Sequence, residues 1–168
     1  YNKLDRFIIA SEQKIGPRSF TYILALGLLI LAAIYVRPEM NYIFHGEFYE
    51  KLANNPFNFN EGNDLSYRIL TPLISYLVGL RGKLFIVTNL IFAFIFIGSV
   101  FGHFRKTSPQ PGDALIASSV MTFSSVILVT IHYSGFCDIL SYLAIFSMWR
   151  WRKNIWWFTF FFVVALFN

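Results

Sequence analysis

The chain has 168 residues and a formal net charge of +5; 56% of its residues are hydrophobic and 20% aromatic, while only 14% are charged. That balance leaves too little polar surface for a soluble globular domain. A lone cysteine, Cys137, excludes an intrachain disulfide and any cysteine-rich metal site. The Lys and Arg residues sit in small clusters beside apolar runs, where lipid headgroups and topology require them, so the positive charge does not point to nucleic acid.

Residues 1–19 carry Lys3, Arg6, Lys14 and Arg18, with Leu4, Phe7, Ile8 and Ile15 near helical spacing. The pattern suits an amphipathic helix on a membrane face, and an undocked N-terminus would have the same composition. Polar residues continue as far as Ser19, which does not match a cleavable signal peptide, so the first apolar run reads as a retained helix. Residues 20–36 hold no charge and are long enough to cross, and Arg37-Pro38 ends them.

Hydrophobicity then collapses over residues 37–64, the acidic first part (Glu39, Glu47, Glu50, Glu61 and Asp64 against Arg37 and Lys51) of a loop that runs to Lys83. The positive-inside rule places the basic N-terminus in the cytoplasm and this segment outside. Within it, Leu65 to Leu80 is apolar but short, interrupted by Arg68 and Pro72, and fits a membrane-parallel or re-entrant helix as well as a distorted crossing. Further spans are predicted over 84–101, 114–131, 139–149 and 155–168. The basic turns Arg105-Lys106 and Arg150, Arg152, Lys153 share the cytoplasmic face only if Leu65 to Leu80 does not cross, which leaves Arg81 and Lys83 outside.

The expected fold is therefore an all-α, polytopic transmembrane bundle of about five spans at roughly 20 residues each, with amphipathic membrane-parallel helices in the first outer loop. Trp149, Trp151, Trp156 and Trp157 flank the second basic cluster as interfacial anchors. The last apolar run is short, which implies that the protein continues past Asn168.

Ionisable groups beside the bilayer are the candidates for chemistry. In HGEFYEKLANNPF, Glu47 on a short helix can serve as a general base just above the membrane or remain a solvated acid, with Phe48, Tyr49 and Leu52 facing lipid. Asp138 in HYSGFCD begins a helix; it fits a dipole-stabilised cap, and His132 and Tyr133 beside it fit a polar ligand site. Arg68 can hold a lipid phosphate or snorkel to headgroups. His45, with His132 and the acids, gives no HxxxH or HxH spacing, so a divalent metal has no motif behind it. No Gly-rich phosphate loop or GxSxG elbow occurs either.

The elements GEFYEKLANNPF, SYRILTPLISYL and SGFCDILSYLAIF together resemble the N-terminal part of the GT-C superfamily of polytopic glycosyltransferases, over about Gly46 to Leu143. The resemblance implies a cytoplasmic N-terminus, one outward helix and an outer loop with membrane-parallel helices. It also implies sugar transfer from a polyprenyl-phosphate donor to an acceptor at the outer face of a membrane, here a bacterial inner membrane. Glu47, where Asp is usual, and Asp138 then become the catalytic acids, and Arg68, His132, Tyr49 and Tyr133 the substrate contacts, with no cofactor. The alternative is a non-catalytic membrane subunit packing in a larger complex through Phe-rich helices such as Phe158 to Phe167.

Overall fold

The computed structural model describes residues 3–37, 46–57, 69–133, 135 and 137–168. The regular structure among them is helical: α1 (Lys3–Ile15), α2 (Pro17–Val36), α3 (Gly46–Asn54), α4 (Leu70–Leu77), α5 (Phe85–Thr107), α6 (Pro111–Thr122), α7 (Ser125–His132), α8 (Asp138–Arg150) and α9 (Ile155–Leu166). A 3₁₀ turn, Gly82–Leu84, leads straight into α5.

Local chemistry sets the boundaries of α2. Gly16 takes φ 85°, which L side chains avoid, and turns the chain between α1 and α2. Pro17, at the first helical position, needs no amide partner. At the far end Arg37 adopts a left-handed φ of 51°, and its N–H donates to the Ala33 carbonyl, closing the helix ahead of Pro38.

Pro17–Val36 and the continuous stretch Gly82–Thr107 are each long and apolar enough to cross a membrane. The pair α6 and α7 becomes a third such span if its 49° bend is counted as one broken helix. Helices α8 and α9 have 13 and 12 residues, about 20 and 18 Å of rise, well short of a hydrocarbon core of about 30 Å. Of the five crossings inferred from sequence, two or three thus have the length and apolarity on their own.

The uncharged stretch 114–131 is two helices and not one. Ser118 and Thr122 donate their hydroxyls to the carbonyls four residues back (2.7 Å each), and Ser124 donates to the Met121 carbonyl at 2.6 Å. Such back-bonding competes with the helical ladder and bends it. Ser124 is extended, at φ −74° and ψ 161°, and α7 restarts from there.

Helix α5 is the centre of the bundle. Its Ala93, Phe96, Ile97 and Val100 pack with Ala25, Leu28 and Ala32 of α2, Ile127 and Ile131 of α7, and Ile139 of α8. The start of α2 and the ends of α5 and α8 meet around one cavity lined by Arg18, Lys106 and Arg150, and with Arg105, Arg152 and Lys153 close by in the chain they make a basic end.

The N-terminal segment is docked at that end. Ile8 packs with Phe20, Phe101 and Ala114, and Arg105 donates to both carboxylate oxygens of Glu12, at 2.9 and 2.8 Å. The buried Asp5 carboxylate accepts the Gly112 N–H at 2.7 Å, at the start of α6, where the helix dipole favours a negative charge. A Cβ at Gly112 would stand 3.0 Å from the Asp5 oxygen and 3.2 Å from Leu4, so a larger residue there would need those side chains to give by a few tenths of an ångström. Asp5→Ala should lower stability by about 1–3 kcal/mol by stranding that amide. Thermal unfolding and amide exchange across α1 in detergent test this: unchanged exchange in α1 would show that Asp5 does not hold it.

Candidate functional site

At the end opposite the basic cluster, α3 turns its Phe48, Tyr49, Leu52 and Ala53 inward against Phe85 and Cys137. The Tyr49 ring lies 6.4 Å from the Phe85 ring, and Tyr49 is fully buried. This corrects the sequence reading in which Phe48, Tyr49 and Leu52 face lipid: α3 packs onto α4 and α5 and covers the start of α8. Glu47 is on the exposed side of α3, and Glu50 approaches Gly82.

Asp138 is the first residue of α8 and is half-buried. It lines a cavity of about 140 Å³ between α7 and α8, with Ser125, Val126, Val129, Thr130 and Tyr142. Tyr142 stands one turn further along α8, the spacing that puts two side chains on one helix face. The Thr130 hydroxyl donates to Val126 O at 2.8 Å, so its methyl and the two valines give the cavity an apolar wall. An acid at the head of a helix is favoured by the dipole; an acid in a small, mainly apolar cleft with hydroxyls beside it is also a proton acceptor for a bound polar group. Glu47, His132 and Tyr133 do not line this cavity.

His132 closes α7. Its Nδ1 lies 3.1 Å from the Val36 carbonyl, and because a carbonyl only accepts, Nδ1 carries the proton. The ring also meets Tyr133 edge to face at 4.5 Å between centroids. His132 therefore ties the end of α7 to the end of α2. Arg68 and His45 lie outside the described residues, and among the described residues no group of three His, Cys, Asp or Glu side chains is placed to hold a metal.

Asn168 braces the start of α8 next to this cavity without lining it. Its Nδ2 donates to the Cys137 carbonyl at 2.8 Å and to Ser141 Oγ at 3.0 Å, while its Oδ1 accepts from Thr71 of α4. Beside it, Leu70 N donates to Phe167 O at 3.2 Å. One side chain thus links α4, the end of α9 and the peptide just ahead of Asp138. Sequence reasoning had no signal for Asn168, since its role depends on three segments meeting; Tyr142 was readable as the i+4 neighbour of Asp138.

Neither a family model, nor a curated protein, nor a solved structure matches the chain.

Asn168→Ala removes three hydrogen bonds around Cys137, a loss of roughly 1–3 kcal/mol for the groups left unpaired. Cys137 is the sole cysteine and has 0% exposure, so a maleimide reports the opening of this junction directly. The variant should label about tenfold faster or more under native conditions; labelling at the parent rate would show that Asn168 does not secure the start of α8.

Proposed function

We propose that the chain acts as an integral membrane glycosyltransferase-like protein, with Asp138 taking a proton from the acceptor while a sugar moves from a polyprenyl-phosphate donor at the outer face. The observation that carries this reading is Asp138 itself, held at the head of α8 in a cleft between two helices. Ionisable side chains at membrane depth are costly to keep and are usually functional.

In this reading the basic end faces the cytoplasm, as the positive-inside rule requires, and the N-terminus with it. The five crossings are α2, α5, α6 with α7, α8 and α9. Because α8 rises only about 20 Å from Arg150, Asp138 stands below the outer surface of a core about 30 Å thick. There a carboxylate meets an acceptor at the depth where a polyprenyl donor is dissolved. The bond from the acceptor atom to the anomeric carbon forms as the bond from that carbon to the phosphate oxygen breaks. Asp138 receives the proton, and polyprenyl phosphate leaves with the electron pair. Glu47 is the second acid of the scheme, and Arg68 is the partner for the departing phosphate.

One observation favours the subunit reading: α9 buries none of its residues, and Trp156 is 84% exposed. A partner helix would cover that aromatic face.

The two readings separate in a transfer assay with the full protein in bilayers and labelled polyprenyl-phosphate sugars. The enzyme reading predicts transfer that falls about 100-fold or more in Asp138→Asn with insertion unchanged, the usual size of a lost general base. Full activity in that variant, or no transfer by the parent protein from any such donor, would overturn it.

A further inference from the structure

A second and larger cavity lies at the basic end, far from Asp138. It holds about 520 Å³ and runs between α2 and α5 to the end of α8, a volume within the range of small-molecule sites. Three helices each bring one cation to it: Arg18 from α2, Lys106 from α5 and Arg150 from α8. Among the described residues, no carboxylate lines it. The neighbouring Arg105 is engaged with Glu12, and Arg152 donates to the Trp149 carbonyl.

Away from the cations the walls turn apolar and narrow in side-chain bulk: Tyr22, Phe94 and Ile95 flank a floor of Gly98, Ser99 and Gly102. The Thr21 hydroxyl is spent on the Pro17 carbonyl at 2.8 Å, leaving its methyl toward Gly98. From Lys106 to Phe94 the channel follows α5 for about 18 Å. Its rim residues Tyr22 and Ile95 are 59% and 41% exposed, on the apolar outer side of the bundle where Ile23 and Leu26 also stand. Positive charge at one end and an apolar trough at the other complement an amphiphile, not a soluble anion.

We infer that this groove binds one anionic phospholipid of the cytoplasmic leaflet, its phosphate among Arg18, Lys106 and Arg150 and one acyl chain along Gly98 and Gly102. Basic pockets between membrane helices on the cytoplasmic side recognise such headgroups, and convergence of three helices on one trough goes beyond what topology signals need. The inference requires α2 and α5 to lie in lipid and is independent of the glycosyl-transfer reading.

The test uses the purified full chain in detergent, titrated with phosphatidylglycerol, phosphatidylcholine or inorganic phosphate and read by native mass spectrometry. Phosphatidylglycerol should bind about tenfold or more tightly than phosphatidylcholine, and the double variant Arg18→Gln, Lys106→Gln should erase that preference. Arg152→Gln, outside the groove, should preserve it and control for lost net charge. Gly102→Leu keeps every charge and enters open space, since a Cβ at Gly102 meets nothing within 4 Å; it should weaken phosphatidylglycerol by about tenfold through filling the trough. Equal binding of both lipids, an equal effect of Arg152→Gln, or phosphate competing fully with no effect of Gly102→Leu would each overturn the lipid assignment.

Discussion

The whole arrangement depends on how closely α2 can lie against α5. Ala25 and Ala32 on one helix and Ala93 and Gly98 on the other are small, and a Cβ at Gly98 would meet that of Ala25 in ordinary van der Waals contact at 3.7 Å. Between apolar helices in lipid, there is little hydrophobic gain from association, so close van der Waals packing through small residues must supply it. With this seam fixed, α5 presents Phe96, Ile97 and Val100 to the remaining helices, and α7 and α8 close the core through Ile127, Ile131 and Ile139. Toward the basic end, Gly98, Ser99 and Gly102 line the trough that the three cations border.

The two ends are built on different principles. At the basic end, carboxylates of α1 hold the α5–α6 region: Asp5 on the Gly112 amide and Glu12 on Arg105. At the other end, neutral amides and hydroxyls do the joining, with Asn168 between Thr71, Cys137 and Ser141, and Thr88 donating to Ser75 at 3.0 Å. Neutral groups are far less costly than ions to keep out of water.

Much of this was legible in the sequence where one physical signal decides the outcome. The uncharged run 20–36 gave α2 to within three residues, because the limits of a long apolar helix are set by Gly16-Pro17 and Arg37-Pro38. Helix α5 continues to Thr107 past the apolar limit at 101, since backbone bonding does not stop where hydrophobicity does and Arg105 gains a partner in Glu12. The break at Phe123-Ser124 was not legible from apolarity, which is blind to serine and threonine hydroxyls turning back on carbonyls. For the site, Asp138 stood out as an acid opening an apolar helix, and the structure adds the cleft around it. The roles of Asn168, Ser125 and the α3 face follow from which segments meet in space, and no local pattern encodes that.

The central claim is that the basic turns after α5 and α8 share the cytoplasmic side while α3 lies on the other. Single cysteines at Gln110, Lys153 and Phe57, all exposed positions, probe it while the buried Cys137 stays in place. An impermeant thiol reagent applied to intact cells should label Phe57→Cys alone, and Gln110→Cys and Lys153→Cys should react only after lysis. Labelling of the Gln110 and Lys153 positions from opposite sides would contradict the account.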